Sequence, residues 1–225
     1  SSEYLDDFIK YVKSIPYLSI REKQGLDYIK SIADVEPKLV LDPTFLLTGE
    51  EWRHLSSVKV LRKNKIENKK YILCYFLGDD GKYVKYVNDF SQMANLPVYY
   101  VSSKRKNYGN KQLVCDPLEF IALLDNAAYV ITDSFHGMIL SINLGVRVGA
   151  FKRFQQDDVL NQNSRIESVL DLLDCNDILI SHSESPINLL EQKKMSNETL
   201  SKIQYMRDES INYLLKALDT YEQNQ

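Results

Sequence analysis

The chain is poor in the residues that most often carry a recognisable signature. It has three cysteines, Cys74, Cys115 and Cys175, odd in number and far apart. No CxxC pair is present, so neither a zinc site nor a disulfide framework is supported, and no structural metal is expected. Cys74 lies inside an apolar run and reads as a small buried hydrophobe; a reducing cytoplasm fits this usage best. Glycines number eight, and neither a P-loop nor a GxGxxG fingerprint occurs among them. No apolar run is long enough for a transmembrane helix, and the acidic start, Ser1-Ser2-Glu3-Tyr4-Leu5-Asp6-Asp7, is not a signal peptide. Excess positive charge is missing too. At a formal net charge of −3, a broad basic footprint for nucleic acid is excluded, and no general attraction to anionic lipid is indicated.

What is present is a globular composition. The 225 residues are 44% hydrophobic and 26% charged, enough to bury a sizeable core in one large domain or two small ones. Short apolar runs rich in β-branched and aromatic residues predict strands at 17–21, 38–42, 71–76, 98–101, 129–132 and 146–151, with a seventh at 178–180. Several lack polar alternation, as strands covered on both faces do. Helical spacing predicts helices over 81–95 and 117–127, and a long one over 196–223. Asp116-Pro117-Leu118-Glu119 has an N-cap, a proline at N1 and a carboxylate at N3. Thr48-Gly49-Glu50-Glu51 and Ser164-Arg165-Ile166-Glu167 read as capping boxes. Strand alternating with helix predicts a mostly parallel, doubly wound α/β sheet. Residues 59–69, dominated by lysine, read as an exposed linker. They separate a partial unit (1–58), which resembles the tail of a larger domain, from a more complete α/β unit (70–195); residues 196–225 form a C-terminal helix.

The stretch richest in chemistry is Thr132-Asp133-Ser134-Phe135-His136-Gly137. A strand ends there and helical spacing resumes at Ile139, Leu140 and Ile142, which places the turn at the carboxyl edge of the sheet, where open α/β sheets bind ligands. Free N–H groups at the helix start favour an anion, and His136 is placed to donate a hydrogen bond or a proton to it. In Asn161-Gln162-Asn163-Ser164-Arg165, Arg165 falls in the first turn of a helix, where its charge opposes the dipole unless an anion bridges the two. In Ser19-Ile20-Arg21-Glu22, Arg21 stands at a strand end, able to grip a carboxylate or phosphate, or simply to pair with Glu22. Asp42 reads as a turn cap. His54, His182 and the Lys104-Arg105-Lys106 cluster read as surface features.

Taken in order, Ser19-Ile20-Arg21-Glu22, Val40-Leu41-Asp42-Pro43-Thr44-Phe45-Leu46-Leu47 with Trp52, Asp116 to Leu124, Val130 to Gly137, and Asn163-Ser164-Arg165-Ile166 resemble the polysaccharide pyruvyl transferase family over roughly residues 15–175. The resemblance implies a glycosyltransferase-B-like fold of two Rossmann-like halves. This chain would hold the C-terminal half and a remnant of the first, without the family's early glycine-rich loop, and the last helix would return toward that first half. Family members often carry Gly-Lys-Pro or Gly-Val-Pro where this chain has Gly145-Val146-Arg147, and residues 176–225 match nothing diagnostic. The resemblance further implies a cytoplasmic transferase of capsule, exopolysaccharide or cell-wall glycan synthesis, needing no cofactor. It would move the pyruvyl group of phosphoenolpyruvate to a saccharide, free or lipid-linked, as a ketal. His136 would be the general acid or the donor to the leaving phosphate. Arg21, Arg165, Ser134, Gly137, Asn163 and Ser164 would bind substrate. Two other readings stand beside it: a nucleotide-sugar glycosyltransferase of the same fold, using Glu167 or Asp171, and a binding fragment inactive alone.

Overall fold

A computed structural model of the chain describes residues 2–78, 80–101, 111–154, 158, 161–181, 185–193 and 195–223. Its centre is a six-stranded, wholly parallel sheet of β3 (Ile72–Tyr75), β4 (Val98–Val101), β5 (Gln112–Leu113), β6 (Tyr129–Thr132), β7 (Arg147–Phe151) and β8 (Leu179–Ile180). The strand order is β5-β4-β3-β6-β7-β8. The chain runs outward from β3, crosses back beside it at β6, and runs outward the other way. This is the Rossmann order, with its reversal between β3 and β6. The doubly wound parallel sheet expected from the sequence is therefore the fold. A second, two-stranded parallel sheet pairs β1 (Ser19–Ile20) with β2 (Lys38–Leu39).

Both faces of the large sheet are covered, which explains the unbroken apolar strands. Successive side chains of β3 alternate faces. Leu73, with Val130 and Val148, packs on Leu123 and Leu124 of α6 (Pro117–Asn126) and on Ile139 and Ile142 of α7 (Phe135–Leu144). Ile72 and Cys74, with Ile131 and Phe151, face Val87 and Phe90 of α5 (Val84–Ala94) and Leu189 of α9 (Ile187–Glu191). Cys74 is fully buried, as its apolar neighbours require. A small third cluster joins α1 (Ser2–Ser14) and α2 (Lys23–Ala33) through Val12, Ile29 and Ala33.

Two of the three expected helix-start patterns close as capping boxes. Thr48 Oγ1 accepts from Glu51 N and Thr48 N donates to Glu51 Oε2 at the start of α3 (Gly49–Leu55). Asp116 and Glu119 exchange the same pair of bonds at α6. Just before that box, burial and then the carboxylates of Glu119 and Asp116 push the Cys115 thiol up to about 11. Only about one thiol in a thousand is then ionised at pH 8, and the thiolate is the reactive form. Iodoacetamide should alkylate Cys115 in the folded chain at least tenfold more slowly than in urea, with the native rate still climbing between pH 8 and 10. Equal rates in both states would contradict the burial.

The third box does not form: Asn163 precedes α8 (Ser164–Leu173) without a side-chain cap bond, and Glu167 pairs with Lys152 instead. The lysine-rich segment is also not simply exposed. Residues Lys59–Lys63 form α4, and Val60, Leu61 and Ile66 are buried in the main core while the lysines face water. Finally, α10 (Asn197–Gln223) lies along β1 and β2. Tyr213 donates to Leu18 O at 3.0 Å, Leu41 N donates to Ser210 Oγ at 3.0 Å, and Lys38 meets Glu209.

Candidate active site

The turn after β6 is locked by its own polar groups. Thr132 Oγ1 donates to Tyr75 O at 2.6 Å and accepts from Ser134 N at 3.0 Å. Ser134 is the N-cap of α7, its Oγ accepting from Gly137 N at 3.3 Å. A Cβ on Gly137 would stand 2.8 Å from Thr132 Oγ1 and 3.1 Å from the Tyr75 ring, so a larger residue would push the helix off β3. Ser134 and Gly137 are thus buried with their polar atoms engaged in holding the turn. What the turn presents outward is His136, whose side chain is half exposed, beside the first helical N–H groups, which have no acceptor within the helix.

Asp133 is sealed under this turn. Its carboxylate accepts from Leu77 N at 2.7 Å and Gly78 N at 2.9 Å, tying the loop after β3 to β6 across the reversal point of the sheet. Arg153, two residues past β7, donates from Nη2 to Asp133 O at 3.0 Å. Asn163 holds the following loop, accepting from Phe154 N and donating to Phe154 O at 2.8 Å.

A row of alternating charges crosses from β1 to α7. Arg165 Nε lies 3.1 Å from Glu22 Oε1, and Arg21 Nε lies 3.7 Å from the same oxygen. Arg21 Nη1 hydrogen-bonds Asp42 Oδ2, and its guanidinium sits 5.4 Å above the Phe135 ring. His136 Nε2 is 4.0 Å from Asp42 Oδ2. Asp42 is nearly inaccessible. It caps the 3-10 turn Pro43–Phe45, taking Thr44 N at 3.0 Å and Thr44 Oγ1 at 2.7 Å. The dipole conflict at Arg165 is relieved here by the chain's own Glu22.

These residues open on a cleft of about 120 Å³ lined by His136, Arg153, Arg165, Leu77, Phe154 and Asn163. The expected His136, Arg165, Asn163 and Ser134 therefore come together, while Gly137 lies in the turn behind them. Arg21 stands behind them, against Asp42 and Glu22. Ser164 lines an adjoining, wider pocket with Asn161, Asn163, Phe154 and Glu167. His54 lies exposed on α3, and Asp171 accepts from Asn176. His182 and Lys104-Arg105-Lys106 lie outside the described residues. Sequence reading missed Arg153 and gave Asp42 and Glu22 no part beyond a cap and a surface pair. The available signal was position: a residue just past the carboxyl end of a parallel strand faces the ligand edge. Among the described residues, no group of His, Cys, Asp and Glu could hold a metal ion, and no helix is long and apolar enough to cross a membrane.

The model of the polysaccharide pyruvyl transferase family matches residues 1–153. No curated protein matches the chain. Among solved structures, the UDP-GlcNAc 2-epimerase of Methanocaldococcus jannaschii, crystallised with UDP-GlcNAc and UDP, is similar at a TM-score of 0.53 and 14% identity, over 87% of this chain and 61% of the epimerase. The glycotransferase of kitacinnamycin is similar at a TM-score of 0.47 and 16% identity, over 99% of this chain and 66% of that one. The chain spans about three-fifths of the epimerase's length. The epimerase likeness shows a Rossmann-like fold of the glycosyltransferase-B kind and nothing of substrate.

Proposed function

The chain belongs to the polysaccharide pyruvyl transferase family, and from that membership we propose that it carries the donor site of an enzyme that transfers the pyruvyl group of phosphoenolpyruvate to a saccharide as a ketal. The observation that carries this reading is the cleft that brings His136 and Arg165 together at the carboxyl edge of the sheet.

The chemistry asks for few groups. The enol carbon takes a proton, a sugar hydroxyl attacks the neighbouring carbon, and the C–O bond to phosphate breaks. A second hydroxyl then attacks the same carbon and closes the ketal. Two hydroxyl protons are released; the methyl group keeps one and the phosphate takes the other. His136 is the group we assign to proton delivery, whether to the enol carbon or to the departing phosphate, help typically worth about 10²–10⁴ in rate. Arg165 and the free N–H groups of α7 suit the donor's anionic oxygens. Arg21 acts from behind, fixing Asp42 and Glu22, which in turn border His136 and Arg165. Saccharide hydroxyls fit the adjoining pocket, whose wall offers amides, a hydroxyl and a phenyl ring from Asn161, Asn163, Ser164 and Phe154. We read residues 1–58, with their separate two-stranded sheet, as part of a second Rossmann-like unit bordering this edge. A cytoplasmic setting accords with the free cysteines.

Isothermal titration of the chain with phosphoenolpyruvate, beside a panel of nucleotide sugars, tests the reading. Phosphoenolpyruvate should bind selectively, and His136→Ala and Arg165→Ala should each weaken it by roughly tenfold or more, the scale of a lost hydrogen bond to a charged group. Binding of a nucleotide sugar in its place would overturn the pyruvyl reading in favour of a glycosyltransferase.

A further inference from the structure

Arg153 belongs to none of the motifs that carry the family resemblance, yet it lines the same cleft as His136 and Arg165. Its guanidinium has more donors than the protein has acceptors. Nη2 donates to Asp133 O at 3.0 Å, and this is the one hydrogen bond its side chain makes among the described residues. Nε is shut off from solvent without an acceptor. It lies 3.7 Å from Asp133 Oδ2, beyond hydrogen-bonding range. The carboxylate that would ordinarily take both arms of this fork is already committed to the two backbone N–H groups of Leu77 and Gly78.

The side chain is nevertheless held in place. Gly78 gives it room: a Cβ there would come within 2.9 Å of Arg153 Cγ. The guanidinium lies 5.6 Å over the Phe154 ring, which Asn163 fixes through both backbone bonds. An arginine positioned this firmly, with Nε sealed and Nη1 given no protein acceptor among the described residues, is suited to an anionic ligand whose oxygens meet the outer end of the guanidinium.

We propose that Arg153 is a donor-binding residue, its planar fork engaging the anionic oxygens of phosphoenolpyruvate between His136 and Arg165. The proposal rests on the pyruvyl reading and places Arg153 directly on the turn after β6, through its bond to Asp133 O. Its geometry distinguishes it from a loose surface charge: a fork contact is lost in part with lysine and almost wholly with glutamine, whereas a general electrostatic attraction survives lysine intact.

The test titrates wild type, Arg153→Lys and Arg153→Gln with phosphoenolpyruvate and with inorganic phosphate, with Arg165→Ala alongside and urea unfolding of each. The expected order of affinity is wild type, then lysine weaker by several-fold, then glutamine weaker by at least tenfold. Should the glutamine variant fail to fold, the lysine variant, which keeps the aliphatic stem against Gly78, decides alone. Wild-type affinity in the folded Arg153 variants, together with loss in Arg165→Ala, would remove Arg153 and leave the donor reading standing. A wild-type chain that binds neither phosphoenolpyruvate nor phosphate would overturn both.

Discussion

Replacing Arg207 by methionine should lower the unfolding free energy by about 3 kcal/mol, the cost of stranding buried acceptors. Arg207 lies on α10 and is only 6% exposed. Its Nε donates to Phe45 O at 2.6 Å, Nη1 to Gln204 Oε1 at 2.6 Å, and Nη2 to Asn143 Oδ1 at 3.0 Å. Phe45 is wholly buried, so water cannot take over its carbonyl. Burial pulls the Arg207 pKa below its ordinary value, against the pull of Asp208 and Glu51 in the other direction. The residue thus bears a real desolvation cost in order to join three elements. Asn143, on α7, continues the join by donating to Thr44 O and Leu47 O, and Trp52 Nε1 donates to Thr44 O at 2.9 Å. At a urea slope near 2 kcal/mol per molar, the midpoint should fall by roughly 1.5 M with the slope unchanged. Asn143→Ala combined with Arg207→Met should show a coupling of about 1 kcal/mol or more, because both hold the same turn. A loss below about 0.5 kcal/mol for Arg207→Met, the level of an ordinary surface change, would mean that the network contributes nothing.

An effect of similar size is expected at Gly49, and in a direction opposite to the usual rule. Alanine for glycine within a helix ordinarily adds about 0.5–1 kcal/mol of stability. At Gly49, the first residue of α3, a Cβ would stand 2.4 Å from Asn143 O, 3.2 Å from the Asn143 carbonyl carbon and 3.4 Å from Leu144 Cα. All three are backbone atoms of α7 and cannot swing aside. The helices must separate, so Gly49→Ala should destabilise by about 2–3 kcal/mol. Gly25, within α2, serves as the contrast. The nearest atoms to its Cβ are side-chain carbons of Ile20 at 3.5 and 3.8 Å, an ordinary contact, so Gly25→Ala should be neutral or stabilising. Parallel urea titrations check both. A Gly49→Ala protein as stable as wild type would refute the close approach of α3 to α7.

What could be read in the sequence was what local pattern encodes. The strands at 72–75, 98–101, 129–132 and 147–151 carry continuous apolar residues because both faces of the sheet are covered, and their runs announced them. Asp116 with Glu119 and Thr48 with Glu51 are spaced to close on themselves, and they do. Ser164 and Glu167 have the same spacing but fail, because α8 begins at Ser164 itself with Asn163 in the N-cap position, and Glu167 pairs with Lys152 just past the end of β7. Over residues 59–69, lysines set the composition of the segment, while Val60 and Leu61 of α4 and Ile66 after it, few but fully buried, set its position. The strand Gln112–Leu113 is two residues long and too short for any periodicity to show.

The same division holds in the cleft. His136 and Arg165 were legible because each falls in the first turn of a helix whose start could be read. The pairing of Arg165 with Glu22, of Arg21 with Asp42, and of Arg153 with Asp133 O crosses between elements far apart in sequence, and no local pattern encodes such partners. Ser134, Gly137 and Asn163 were placed on the substrate because they sit in the right turns. Their polar groups hold those turns in shape, which presents His136 and Arg165 to the cleft, and Ser134 and Asn163 line that cleft themselves.

The path of α10 along β1 and β2 has a consequence for how the chain reaches its folded state. Tyr17 OH meets Thr220 Oγ1 across 203 residues, and Arg207 reaches Phe45 across 162. At a synthesis rate of about 5–20 residues per second, roughly 10–40 s separate the making of Tyr17 from that of Thr220. During that interval β1 and β2, two residues each, must persist without the helix that covers them. A pair so short has little stability alone, so this part of the molecule should be the last to acquire native order. A ribosome-bound chain halted before residue 197 should expose Leu18, Leu41 and the bonds of β1 to proteases that the finished fold excludes.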